Sequence, residues 1–339
     1  MNSFDLKNYD YPLPQELIAQ YPIFPRDKAR LMVIDRQKQT ISHDYFFNLQ
    51  RYLPPQSMVV LNDSKVIPVR LLGKRRETGG EVEIFLLQRL SDGYTYQALL
   101  RPLKRLKKGE KIFFGKGEIV AEIIDKENRL VRLNKKNIYP SLERIGHMPL
   151  PPYIKRTDKA LDKKYYQTVF AKNLGSVASP TAGLHLTTRL LKKIEGQGHK
   201  IKKVTLHINY ATFKPVEVAD IRKHEIHSED FIVAPAIGKA IVAEKQKGKK
   251  IVAVGTTAAR VLETVAQTKK IKGRTDIFIY PGYQFRLTDV LITNFHLPFS
   301  TLLMLVYAFG GEALMKRAYQ EAVKEKYRFF SYGDGMIIL

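Results

Sequence analysis

The sequence predicts a mixed α/β main domain, a barrel-like sheet with flanking helices, interrupted by a small all-β barrel domain. Three observations carry this expectation. From residue 187 onward helix-period and strand-period segments alternate, the pattern of an α/β core. Between about 71 and 149 the texture changes to short runs rich in Val, Ile, Phe and Tyr, separated by turn residues at the spacing of a meander, sandwich or small barrel. At 339 residues the chain can bury roughly three quarters of its unfolded surface, and its length suggests two domains or three. The expected division is a discontinuous α/β catalytic domain over 1–70 and 150–339, with 71–149 as the inserted barrel.

A Pro-rich lead, Tyr11-Pro12-Leu13-Pro14, precedes a short helix expected over Gln15–Gln20. Apolar strands are expected at Leu31–Asp35 and Met58–Leu61, the second running into the turn-rich Asn62-Asp63-Ser64. In the insertion the strands are Val82–Leu87, Tyr94–Leu100, Lys111–Phe114, Glu118–Ile124 and Leu130–Leu133. Pro149-Leu150-Pro151-Pro152 closes it. Thr187 or Thr188 caps a helix that Gly196 and Gly198 end. Strand Val204–Ile208, helix Pro235–Gln246, strand Ile251–Val254, helix Thr257–Gln267, and strands Asp276–Tyr280 and Val290–Thr293 follow. Helices Ser300–Phe309 and Glu312–Tyr327 lead to a last strand near Met336–Leu339.

There is no cysteine, which excludes disulfides, thiolate catalysis and cysteine-ligated metal. The apolar run Leu302–Phe309 is far short of the ~20 residues that span a bilayer, and the first residues carry no apolar signal core, so a cytoplasmic protein is expected. A formal charge of +24 favours polyanionic partners. Residues 101–111 set six basic side chains against Glu110, so Arg101, Lys104, Arg105, Lys107 and Lys108 are candidate phosphate-backbone contacts.

Five of the eight histidines lie in short polar runs at expected strand ends: His185, His207, His224, His227 and His296. A core needs few such groups, because each buried polar atom without a partner costs about 1–3 kcal/mol. Their density points to a polar pocket and to an enzyme. Gly255-Thr256-Thr257 after a strand opens a helix, where free N–H groups and hydroxyls hold anions, and Arg260 lies one turn on. Thr293-Asn294-Phe295-His296 also leaves a strand end, the usual ligand side of an open α/β sheet. His224-x-x-His227 lacks the spacing of a zinc protease, so no metal is expected and acid–base work is assigned to His227 and Glu229 instead.

Together these runs resemble one family nearly end to end. The residues that carry the resemblance are Asn62 to Pro68, Pro149 to Ile154, Tyr166 to Phe170, Ser179 to His185, Val254 to Thr257, Thr275 to Gly282, Thr293 to Pro298 and Tyr327 to Asp334. The family is the S-adenosylmethionine:tRNA ribosyltransferase-isomerases of queuosine biosynthesis. The resemblance implies transfer and isomerisation of the ribosyl moiety of S-adenosylmethionine onto the aminomethyl-7-deazaguanine at the tRNA wobble position. Epoxyqueuosine forms, and adenine and methionine leave. It also implies an α/β domain with an inserted β-barrel, the anticodon arm of tRNA as partner, S-adenosylmethionine as co-substrate and no metal. A monomer is expected.

Such chemistry needs a base to take an acidified C5′ proton beside the sulfonium, an acid for departing adenine and hydrogen bonds to ribose. His185 or His207 is expected as base and His227 or Glu229 as acid. Thr256, Thr257 and Arg260 are expected on the methionine carboxylate, with Thr181, Gly183 and Gly255 beside the ligand and Asn294 and His296 facing adenine or ribose. The chain departs from the family after His207, where Asn209-Tyr210-Ala211 replaces a Gly-x-Gly turn. Ala29 and Ile226 replace a usual serine and methionine. The alternative reading is a non-catalytic tRNA-binding homologue with an altered pocket.

Overall fold

The computed structural model describes residues 3–210 and 215–339. Early in the chain lie β1 (Arg30–Asp35), β2 (Thr40–Tyr45), β3 (Met58–Asn62) and the short β4 (Ser64–Val66). Six strands follow: β5 (Arg70–Arg75), β6 (Glu81–Arg89), β7 (Thr95–Arg101), β8 (Lys111–Phe114), β9 (Ile119–Asp125) and β10 (Leu130–Leu133). Next come α1 (Tyr139–Ile145), α2 (Ala160–Tyr165), β11 (Asn173–Ser176), α3 (Thr188–Gly196), β12 (Lys200–Leu206) and β13 (Glu229–Ile232). The chain continues through α4 (Pro235–Gln246), β14 (Ile251–Val254), α5 (Thr256–Thr268), β15 (Lys272–Thr275) and β16 (Val290–Asn294). It ends with α6 (Thr301–Gly310), α7 (Glu312–Lys324) and β17 (Gly335–Ile338).

The large sheet has nine strands in the order β15-β13-β12-β3-β14-β16-β17-β1-β2. It is open, with β15 and β2 at its edges, where the sequence suggested a barrel-like sheet. Its centre is parallel: β3 pairs with β12 and β14, and β14 with β16. Such strands are covered on both faces and read as unbroken apolar runs. Met58 and Val60 face α5, α6 and α7, whereas Val59 and Leu61 face α3. Strands β5 to β10 close into an antiparallel barrel around Leu71, Ile84, Ala98, Ile112, Ala121 and Val131.

Two local expectations fail. Gln15–Leu17 makes a single 3-10 turn instead of a longer helix. Asp276–Tyr280 is not a strand: Phe278 and Tyr280 pack edge-to-face against each other, and the pairing that sequence placed there falls on Lys272–Thr275, bound to β13. Aromatic content marks packing at the margin of the core here, not a ladder.

Helix α5 decides where the site lies. All its residues from Thr256 to Ala266 are buried, so it runs through the core and its first turn opens at the carboxyl ends of β14 and β3. Gly255 begins it with φ 90°, a conformation a β-carbon resists, and an added β-carbon would stand 3.6 Å from that of Ala182.

Candidate active site

Two adjoining cavities open at the carboxyl ends of β14 and β16 and share Pro215 and Leu302 as wall. The first, about 300 Å3, is lined by small polar groups on an apolar surface: Thr181, Thr256, Thr257, Asn294 and His296 against Ile208, Phe295 and Phe330. The second, about 470 Å3, is lined by Glu217, Glu229 and Arg260, with the imidazoles of His224 and His227 beside Phe278 and Asn209.

The polar groups of the first cavity are held by one another. Thr181 Oγ1 donates to Asn294 Oδ1 at 2.8 Å, and Asn294 Nδ2 donates to the Phe330 and Asp334 carbonyls. Those partners fix the amide's orientation, so His185 Nε2, 3.0 Å from Nδ2, accepts. Thr293 Oγ1 lies 2.8 Å from His296 Nε2, and the His296 carbonyl accepts the Tyr11 hydroxyl. Asn62 Nδ2 donates to Thr257 Oγ1 at 3.2 Å and to the Leu206 carbonyl at 3.1 Å. Burial lowers both His185 and His296 to about 3, with the Arg328 and Arg26 charges adding to the effect at His185. Both imidazoles are neutral near pH 7. The result is a preorganised neutral network.

The second cavity is built around an ion pair. Glu229 Oε2 meets Arg260 Nη1, and Glu229 Oε1 accepts the Asn209 backbone N–H at 2.8 Å. Arg260 Nε donates to the Ile277 carbonyl at 3.3 Å. Its Nη2 is buried and has no hydrogen-bond partner among the described residues. A buried guanidinium donor without an acceptor is costly, and Arg260 is among the residues that line this cavity. His224 lies edge-to-face with Phe278 at 5.6 Å, and burial, with His227 nearby, lowers its pKa.

The expected site residues divide. Thr181, Gly255, Thr256, Thr257, Asn294 and His296 line the first cavity, and His227, Glu229 and Arg260 the second. Thr256 and Thr257 therefore line a different cavity from Arg260. His185 and His207 are outside both linings. His185 stacks on Phe46 at 4.2 Å with Nε2 engaged by Asn294, which makes it a poor base. His207 Nδ1 is buried without a partner among the described residues, close under Gly175. Glu229 meets Arg260 with one oxygen and accepts the Asn209 backbone N–H with the other. Gly183 is a packing residue, since an added β-carbon would come within 2.8 Å of Phe170.

Of the basic run, Arg101 lines a groove between barrel and body with Arg70, Phe85, Lys155, Arg156 and Tyr210. Lys104, Arg105, Lys107 and Lys108 stand exposed around the next turn. Ala211, Thr212 and Phe213, part of the turn that departs from the family, lie outside the described residues. Sequence reasoning missed the Asn62 brace, the Tyr11 contact, and the pairing of Glu229 with Arg260. Nothing in a sequence signals a partner 31 residues away.

A fully buried helix start, a neutral polar cavity and a charged neighbour define an enzyme of the mixed α/β class that takes a small ligand beside an accessory barrel. Comparison with known proteins narrows this. Residues 6–338 match the family model described as queuosine biosynthesis protein, and the chain belongs to that family. It is 51% identical to the S-adenosylmethionine:tRNA ribosyltransferase-isomerase of a Sulfurihydrogenibium species, over 98% of this chain and 99% of that one. It is 47% identical to the protein of the same name from Symbiobacterium thermophilum, again over 98% and 99%. The crystal structure of S-adenosylmethionine tRNA ribosyltransferase from Thermotoga maritima superposes with a TM-score of 0.57 at 36% identity, covering 98% of this chain and all of that one.

Proposed function

We propose that this enzyme transfers and isomerises the ribosyl moiety of S-adenosylmethionine onto the aminomethyl-7-deazaguanine at the wobble position of tRNA, giving epoxyqueuosine with release of adenine and methionine. One observation carries the placement of the ligand: a neutral polar cavity joined to a charged one whose buried Arg260 Nη2 lacks an acceptor. S-adenosylmethionine has the same asymmetry, a heterocycle at one end and an amino-acid carboxylate at the other. The adenosine end fits the first cavity, with Thr181, Thr256, Thr257 and Asn294 as hydrogen-bonding groups. Thr293 engages one ring nitrogen of His296, and the other, Nδ1, remains for adenine. The carboxylate takes Arg260 in the second cavity, and the sulfonium lies near the wall formed by Pro215 and Leu302.

This placement moves the base. A histidine that reaches the C5′ proton must stand near the junction, and His224 and His227 line the second cavity. An imidazole is a common general base for such a proton. His185 becomes a positioning residue that acts through Asn294. The reaction as read here requires no metal, and its setting is the cytoplasm, with the enzyme acting as a monomer on the anticodon arm.

The test is incubation of purified protein with S-adenosylmethionine and tRNA carrying the aminomethyl-deazaguanine. Adenine release with a mass gain on the modified base is the expected outcome; methylated tRNA or no adenine contradicts the reading. In the same assay loss of turnover is expected in the His224→Ala/His227→Ala double variant. Full turnover there would return the base to another residue.

A further inference from the structure

We propose that the single-stranded loop of the RNA substrate rests on an aromatic and basic platform made by residues 21–26 and α2, and not primarily on the charged barrel tip. The inference rests on the RNA-modifying reading above and adds a surface to it.

Phe24 is 76% exposed and Tyr21 47%, high for large aromatics three residues apart in one segment. Phe24 meets Tyr165 edge-to-face at 6.3 Å. Cations lie over the two tyrosine rings: Arg156 Cζ 4.4 Å and Lys159 Nζ 5.0 Å from the Tyr21 centroid, and Arg26 Cζ 4.9 Å from that of Tyr165. Exposed rings interleaved with cations match what an unpaired strand offers, π-faces that stack and phosphates that need positive charge.

The local charge is one-sided. Between residues 155 and 164 the two acids are both withdrawn from the surface. Asp158 accepts the Met148 backbone N–H at 2.9 Å and holds His147 Nδ1 at 2.8 Å. Asp162 is buried, accepting from Arg156 Nη1 and Nη2, the Lys159 backbone N–H at 2.7 Å and the Tyr332 hydroxyl at 2.7 Å. Lys155, Lys159, Lys163 and Lys164 are left exposed. The barrel tip has comparable charge, but residues 101–111 include no aromatic side chain, so it can meet phosphates and offers no stacking surface.

The platform is also tied to the active site. Gln20 Nε2 donates to the Tyr153 carbonyl at 2.9 Å, and Gln20 Oε1 accepts the Lys155 N–H at 2.8 Å. Arg156 Nε donates to the Gln20 carbonyl at 2.9 Å, and Arg328 donates to that of Tyr21. Tyr153 lines the first cavity, while Lys155 and Arg156 line the groove that faces Tyr210 and the barrel. One short segment thus joins cavity, groove and platform. A loop stacked on Tyr21 and Phe24 would present its neighbouring base toward the cavity mouth.

The experiment compares binding of an unmodified anticodon stem-loop RNA, by fluorescence anisotropy at fixed salt, among four proteins: wild type, Phe24→Ala, Phe24→Tyr and Lys104→Ala/Lys107→Ala. Phe24→Ala is expected to weaken binding by about 10-fold, the range of one lost base–aromatic stack, with melting temperature and S-adenosylmethionine binding unchanged. Phe24→Tyr keeps the π-face and is expected to bind like wild type. The barrel pair is expected to lose less and to flatten the salt dependence. Wild-type affinity in Phe24→Ala, or the larger loss in the barrel pair, overturns the platform alone. No RNA binding by wild type overturns the RNA-modifying reading and the platform with it.

Discussion

The two cavities share a wall and differ in how their polar atoms are satisfied. In the first, Thr181, Asn294 and His185 hold one another, as do Thr293 and His296, so these side chains are oriented before any ligand arrives. In the second, Arg260 keeps one nitrogen without an acceptor among the described residues, although Glu229 compensates its charge. The difference separates shape from demand. In the proposed reading the first cavity takes the neutral ring by donors and acceptors already oriented, and the second takes the carboxylate beside Arg260.

The largest expected effect tests that incompleteness. Glu229→Ala leaves Arg260 buried without its counter-charge and is expected to cost about 3–5 kcal/mol of stability, read by denaturant melts. Replacing both partners, as Arg260→Met/Glu229→Met, is expected to recover most of it. If the double variant is no more stable than the single, the pair is not the source of the cost.

On the other side, Asn294→Ala removes the donor to His185 and two carbonyls and the acceptor of Thr181. The expected loss is about 1–3 kcal/mol, with weaker binding of adenosine as well as of S-adenosylmethionine. Unchanged adenosine binding would separate this network from the ligand.

The pH response follows from the same network. His185 and His296 sit at about 3 in the folded protein against 6.5 for an ordinary histidine. Between these values the unfolded chain binds more protons, so stability is full above about 6.5 and falls as pH drops toward 3. Each histidine contributes at most about 1.4 kcal/mol per pH unit in that window. His296→Asn is expected to flatten the slope of stability against pH; an unaltered slope would show that His296 does not titrate in this way. The smallest effect is expected at His207, outside both cavities, where substitution by alanine should leave kcat near the wild-type value.

Much of the architecture was legible because it is local. Helix α4 falls on Pro235–Gln246 as the periodicity predicts, and Lys111–Phe114 and Leu130–Leu133 are barrel strands as read. The edge strand β2 was not, because Thr40–Tyr45 is mostly exposed and polar and is a strand only by pairing with β1. The site was legible as an inventory and not as a geometry. Sequence gathered Thr256, Thr257 and Arg260 from one helix start, but Arg260 reaches the other cavity, because Glu229 at the start of β13 and the Ile277 carbonyl hold it there. The same distance hid the true surroundings of His185: its neighbours Phe46 and Asn294 come from opposite ends of the chain.

A binding cycle reaches the heart of this account: S-adenosylmethionine and its decarboxylated analogue, each titrated into wild type and into Arg260→Met/Glu229→Gln. Removing the carboxylate should weaken binding to wild type by roughly 10- to 100-fold, the range of a charge-assisted hydrogen bond, and should cost the double variant almost nothing more. An equal penalty in both proteins would place the carboxylate elsewhere and separate the second cavity from the ligand.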